Sequence, residues 1–317
     1  MTIVLAMRVY RVVLLAAVVA LAAAACGDDD DATAGTSSDS TSSAGMLVVA
    51  TTTHTADFTR IVGGDLVHVY DVIKANVDAH DYEPTPADVE NLGDAKVVVR
   101  NGLGLESWFD DTLAQADSSA VVVDASTGVT PRAGQGEEAG EDDPHIWMNP
   151  ANAKTMVTNI TAGLVEADPA HQAAFEANRD AYLAQIDALD VELRGLLDPL
   201  PNKKLVTNHD AFGYYIDYYG LQFIGSVLPS FDTAVELTPS AIEELVAKIK
   251  AKGVKAIFTE ASLPPAAAEA LASEADVNVV SGEDALYADS LGPEGSNGDT
   301  YLKMMRHNTR VIVENLT

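Results

Sequence analysis

The chain is poor in three things, and each absence excludes something. It has one cysteine, Cys26, in 317 residues. No disulfide can form within it, so a fold must be held by packing alone. It has only 19 Lys and Arg against 48 Asp and Glu, a net charge of −29. A nucleic-acid partner needs a basic face to neutralise phosphates, so no such partner is expected. Its N-terminal apolar run, residues 12–25, has 14 residues, short of the roughly 20 that span a bilayer as a helix. What is present is a 47% share of hydrophobic residues. That sets the chain apart from acidic disordered tails, and its length suits two domains of ordinary size.

Arg8 and Arg11 precede the apolar run, which ends Leu21-Ala22-Ala23-Ala24-Ala25-Cys26-Gly27. A basic start, a core of this length and small residues at its end describe a signal peptide over 1–25. Small residues directly before the only cysteine resemble a bacterial lipoprotein cleavage site, with Cys26 as the lipidated first residue; Ala23 stands where that pattern prefers leucine. The alternative is an ordinary signal peptide with an incidental cysteine. After Cys26, residues 27–45 follow as Gly, Asp, Ser, Thr and Ala without a large apolar side chain. They read as a flexible tether that places the fold just outside a membrane.

Beyond the tether, short β-branched runs alternate with amphipathic stretches. Strands are expected at 47–52, 66–73, 96–100, 120–124, 204–208, 222–227, 255–259 and 277–281. Helices are expected near 55–63, 86–94, 105–116, 150–166, 211–219, 239–252, 264–275 and 299–315. Such alternation indicates βαβ units and parallel sheets covered on both faces. Thr85-Pro86, Asn149-Pro150, Asp168-Pro169 and Thr238-Pro239 each set a capping side chain before a proline at the first helical position. Between the fourth and fifth strands, Phe175, Tyr182, Ile186, Leu189, Leu193 and Leu196 form a helical stripe bounded by Asp168 and by Pro199 and Pro201. The expected fold is α/β, with a lobe at 46–167, one long rigid helix at 168–199 and a second lobe at 200–317. A single eight-stranded sheet with one long crossover is the alternative.

Seven histidines are distributed unevenly over this plan. His68 lies in a strand run, His171 in the first turn of the long helix and His307 on the last helix; all three read as structural or solvated. His80, His145 and His209 instead fall in connections near helix starts. Asp289 follows the last strand run, and Glu260 directly ends the one before it. Ligands of parallel α/β sheets bind outside the carboxyl ends of the strands, so three imidazoles and one or two carboxylates can converge there. His54, at the end of the first strand run, is either an accessory metal contact or a polar residue at a helix start. Residues 132–143 carry Glu137, Glu138, Glu141, Asp142 and Asp143 and no histidine. They read as a solvated acidic loop, or as one that gathers cations near the cleft.

Four local strings match one family. His80-Asp81-Tyr82-Glu83-Pro84-Thr85-Pro86, Asp143-Pro144-His145-Ile146-Trp147-Met148-Asn149-Pro150, Thr207-Asn208-His209-Asp210-Ala211-Phe212-Gly213 and Leu286-Tyr287-Ala288-Asp289-Ser290-Leu291-Gly292 occur in this order. They resemble the metal-ligand motifs of cluster A-I (cluster 9) metal-binding proteins of ABC importers, over roughly 46–317. The resemblance implies one divalent metal held by His80, His145, His209 and Asp289. It implies zinc rather than manganese, since family members with Glu at the third position are typically manganese proteins; manganese or iron is the alternative. Asp81, Glu83, Asp210 and Glu260 are candidates to orient the ligands. It further implies an extracytoplasmic lipoprotein, expected as a monomer, that delivers zinc to an ABC permease and its ATPase, with a zinc metallochaperone as a further partner. Two other classes compete. A zinc hydrolase needs an open metal position, and the sequence has neither a His-Glu-x-x-His string nor a Gly-x-Ser-x-Gly elbow. A surface adhesin would use the metal only structurally.

Overall fold

A computed structural model describes residues 45–134, 140–233 and 238–317. Two separate four-stranded sheets form, both fully parallel. The first joins β1 (Met46–Ala50), β2 (Val67–Asp71), β3 (Val97–Arg100) and β4 (Val121–Asp124) in the order β2-β1-β3-β4. The second joins β5 (Lys204–Thr207), β6 (Gln222–Ser226), β7 (Ala256–Phe258) and β8 (Asn278–Val280) in the order β6-β5-β7-β8. The single-sheet alternative is therefore set aside. Val97, Val98 and Val99 on the inner strand β3 are all fully buried. A continuous apolar run is what a parallel strand covered on both faces requires.

Helices cover the faces: α1 (Thr53–Gly63), α2 (Pro86–Asp94), α3 (Phe109–Gln115) and α4 (Pro150–Ala167) in the first lobe, then α5 (Gln172–Leu197), and α6 (Gly213–Tyr219), α7 (Pro239–Lys252), α8 (Ala266–Ala275) and α9 (Tyr301–Leu316). Among the described residues, no helix is long and apolar enough to cross a membrane. Residues 1–44, which hold the signal-peptide reading, Cys26 and most of the tether, lie outside the described residues.

Three of the four expected caps form. Thr85 accepts from Asp88 N in a reciprocal capping box, Asn149 accepts from Ala151 N, and Thr238 accepts from Ala241 N. Asp168 does not cap. Its carboxylate accepts from His171 Nδ1 at 2.5 Å, and Pro169–His171 make a 3-10 turn, so the long helix begins at Gln172. The short side chain pairs with the nearer imidazole instead of the helix amides. The stripe on α5 is Phe175, Tyr182, Ile186, Leu189, Leu193 and Leu197. Leu196 points outward, because four residues from Leu193, not three, continues the buried face.

The second sheet faces two cores. Leu205, Phe258 and Val280 join the core that runs through the first sheet, α4, α5 and α9. Val206 and Ile257, one residue away on opposite faces, join a smaller core with Leu245, Ile249 and Leu271 of α7 and α8. The last helix thus returns to the first lobe: α9 packs against both α5 and α1. Asp57 on α1 accepts from Tyr301 N at 2.9 Å, tying off its first turn.

This placement predicts that Leu189→Ala, which empties a fully buried position on α5, costs about 2–5 kcal/mol. Val191→Ala, at a side chain 73% exposed, costs at most about 0.5 kcal/mol. Urea unfolding midpoints of the two variants check the contrast.

Candidate metal centre

His80, His145, His209 and Asp289 all lie on connections that follow the carboxyl ends of strands. His80 lies on the connection from β2 to α2. Its N–H donates to Asp78 Oδ1 at 2.9 Å, which shapes the turn. Behind it, Asp88 accepts from Tyr82 at 2.8 Å, Tyr70 at 2.9 Å and Thr85 N at 2.7 Å. Burial would raise the Asp88 carboxyl, but the donors from Thr85, Tyr82 and Tyr70 outweigh it and hold it below the usual range. Asn101, at the end of β3, donates to Pro144 O at 2.9 Å and so seats the residue before His145.

His145 and His209 are gripped in the same way. Asp143 Oδ1 takes both the backbone N–H of His145 at 3.0 Å and its Nδ1 at 2.7 Å. Glu260 Oε1 takes the backbone N–H of His209 at 3.0 Å and its Nδ1 at 2.8 Å. A carboxylate only accepts, so Nδ1 carries the proton in both rings. Each Nε2 then turns inward, the atom that would meet a metal once any proton on it is lost.

Asp289 completes the group. Its chain segment comes from the second lobe, yet it is bonded to the first on both sides. Trp147 Nε1 donates to Ala288 O at 3.1 Å, Asn76 N to Ser290 Oγ at 2.9 Å, and Leu291 N to Thr53 Oγ1 at 2.8 Å.

The four inward groups meet closely. Nε2 of His145 lies 3.3 Å from Nε2 of His80 and 3.4 Å from Nε2 of His209. The oxygens of Asp289 lie 3.6 Å from His80, 3.3 Å from His145 and 3.2 Å from His209. His145, His209 and Asp289 are fully buried. Four donors placed tetrahedrally about 2.0–2.1 Å from one centre stand about 3.3 Å apart. Five of the six pairs, taken to the nearer Asp289 oxygen, stand near that spacing, and the four ligand atoms all lie within 4.8 Å of one another.

Without a cation the charges compensate one another. Burial pulls the His145 imidazolium down, but Asp143 and Asp289 outweigh it and push it up to about 9. His209 is raised well above the usual imidazole range: burial opposes the charge, and Asp289 and Glu260 overcome it. Burial would raise Asp289, yet His209 and the other rings hold it well below the carboxylate range. His80 is lowered, chiefly by burial.

The other sequence candidates are scattered. His54 is fully buried on α1 outside the group of four. Its ring lies flat on Trp147 with centroids 4.5 Å apart, and neither ring nitrogen has a hydrogen-bond partner. Burial lowers it to about 3, so it is neutral. Asp81 and Glu83 are exposed. Asp210 feels the charges of Arg132, Asp143, His145 and His209, and one of its buried oxygens has no hydrogen-bond partner. Glu260 does hold the His209 ring. Within the acidic stretch, residues 135–139 lie outside the described residues, and Asp143 is fully buried beside His145 rather than solvated. That role escaped the sequence reading, although an Asp two residues before a histidine, followed by Pro, is an Asx-turn signal.

Two α/β lobes meeting over three imidazoles and a carboxylate define a metal-ion receptor. The model of the family zinc-uptake complex component A, periplasmic, matches residues 48–315. The chain belongs to this family, the metal-binding substrate-binding proteins of ABC importers. It is 31% identical over 271 residues to the metal ABC transporter substrate-binding lipoprotein SsaB of Streptococcus sanguinis, covering 82% of this chain and 86% of that protein. It is 32% identical over 270 residues to the iron ABC transporter substrate-binding lipoprotein MtsA of Streptococcus pyogenes, with coverage of 82% and 86%. Among solved structures, the periplasmic zinc-binding protein TroA of Treponema pallidum superposes with a TM-score of 0.80 at 31% identity, over 86% of this chain and 99% of that one.

A cation competes with the protons that His145 and His209 hold at neutral pH. Metal capture is therefore expected to release about two protons at pH 7, and apparent affinity is expected to rise with pH above neutrality, through the His145 value near 9, while these rings still hold protons. Calorimetry in buffers of different ionisation enthalpy measures the release; binding without proton release would contradict the assignment.

Proposed function

We propose that the chain captures one zinc ion outside the membrane, as cargo, on His80, His145, His209 and Asp289, and hands it to an ABC permease driven by its ATPase. The observation that carries this reading is the convergence of three imidazole nitrogens and a carboxylate within 4.8 Å of one another, five of the six pairs at 3.2–3.6 Å, which suits zinc with imidazole and carboxylate ligands. In this reading Cys26 carries the lipid that anchors the protein, residues 26–45 are the tether, and the receptor works as a monomer, with a metallochaperone as a further partner. The lobes divide at 46–167 and 200–317, joined by the helical segment 168–199. Four protein ligands leave no position for a reactive water, which favours a receptor over a hydrolase. A relative named for iron favours one second reading: an iron or manganese receptor of the same importer class.

Competitive titration of the demetallated protein separates these. Zinc is expected to bind 1:1 and to resist excess manganese, and His209→Ala to abolish that tight binding. Preferential manganese or iron binding would overturn the metal, and no tight binding of any of them would overturn the site.

Release follows from the architecture. The first core continues through α5 and α9 into the second sheet, so the lobes resist parting, and the loops bearing the ligands rearrange instead. Hydrogen exchange is expected to quicken on metal loss in the segments around His80, His209 and Asp289 and to stay slow in β1, β3 and α5. Faster exchange throughout one whole lobe would contradict local release.

A further inference from the structure

One arginine stands between the arm that carries His145 and the segment that carries His209. Residues 132–134 pair antiparallel with residues 141–143. Asp143 N donates to Arg132 O at 2.8 Å, Gly134 N donates to Glu141 O at 2.8 Å, and Ala133 bridges Asp142. This pairing sets the Arg132 guanidinium beside Asp143, where Nη1 donates to Oδ2 at 3.2 Å. The partner oxygen, Oδ1, is the one that grips the N–H and Nδ1 of His145. One buried carboxylate is thus held on one side by Arg132 and on the other by His145.

The same arginine reaches across to the second lobe. Its Nε donates to Asp217 Oδ2 on α6 at 3.1 Å. Tyr214, on the same helix, accepts from Arg132 N at 2.8 Å and donates to Asp143 O at 2.9 Å. Asp210, the residue after His209, has a buried oxygen without a hydrogen-bond donor, and its charge bears on Arg132. Room for the guanidinium comes from Gly213, where a Cβ would stand 2.3 Å from Nη1 and 2.5 Å from Cζ of Arg132.

We propose that Arg132 is a positioning residue for metal capture: it fixes Asp143, and through it the His145 ring, and ties that arm to the helix that follows His209. The inference rests on reading His145 and His209 as metal ligands. Its physical basis is the cost of a buried carboxylate that loses its cation: Asp143 would turn or admit water, and the imidazole it grips would lose its aim. Groups that orient metal ligands change metal affinity about 10–100-fold when removed.

Zinc dissociation from the full-length chain, followed by stopped flow into excess chelator, tests this in wild type, Arg132→Gln, Arg132→Lys and Gly213→Ala. The visible spectrum of each protein loaded with Co2+ reports the ligand geometry. Arg132→Gln is expected to release zinc about 10–100-fold faster with an altered cobalt spectrum, and Arg132→Lys to recover part of both. Gly213→Ala keeps the arginine but displaces its guanidinium, so it is expected to fall between them while staying folded. If wild type binds no zinc, the underlying reading fails. If wild type binds zinc and both Arg132→Gln and Gly213→Ala release it at the wild-type rate with an unchanged spectrum, whatever their melting temperatures, the positioning role fails.

Discussion

The His145 Nε2 is confined within hydrogen-bond distance of both the His80 and the His209 Nε2 in a buried space, and each aims a lone pair or a proton at its neighbour. Nothing about that crowding is favourable by itself. It persists because carboxylates hold the rings from behind: Asp143 and Glu260 each take a backbone amide and an Nδ1 from the same histidine. The grip fixes ring orientation and tautomer together, so both Nε2 atoms face the same point. Asp289 supplies the negative charge in front. Without a cation, protons on the rings balance that charge; with one, the cation replaces them.

The rest of the molecule holds this arrangement in place. Parallel sheets open their strands toward one end, and the connections there carry His80, His145, His209 and Asp289. Bonds from Trp147, Asn76 and Thr53 fasten the Asp289 loop to the first lobe, while α9 and α5 extend the first core beneath it. His209 differs from the other three. Its orienting partner, Glu260, lies in its own lobe, and its tie to the first lobe runs through Tyr214 and Arg132. On the release proposed above, such a receptor would change its grip by moving loops rather than by swinging lobes apart.

Much of this was legible in the residues. Eight β-branched runs became eight strands, since inner parallel strands must be apolar on both faces and polar residues interrupt them only at their ends. The four residues that meet were legible from their strings and from their place at strand ends. What escaped depends on three-dimensional partners. Asp168 has a capping residue's sequence context but pairs with His171. Asp143 sits in an acidic stretch, yet the fold buries it between His145 and Arg132, which meet its charge there. His54 has a polar side chain at a helix start, yet it packs flat on Trp147. No one-dimensional spacing distinguishes these outcomes, because each is decided by a residue distant in sequence or by a neighbour with a competing bond.

The most direct measurement is X-ray absorption at the zinc edge of the loaded protein, compared with the same spectrum for Asp289→Asn. The account predicts a four-coordinate shell of three imidazoles and one carboxylate oxygen with bonds near about 2.0–2.1 Å, and a changed oxygen contribution in the variant. A six-coordinate, oxygen-rich shell, or a spectrum indifferent to Asp289→Asn, would contradict it.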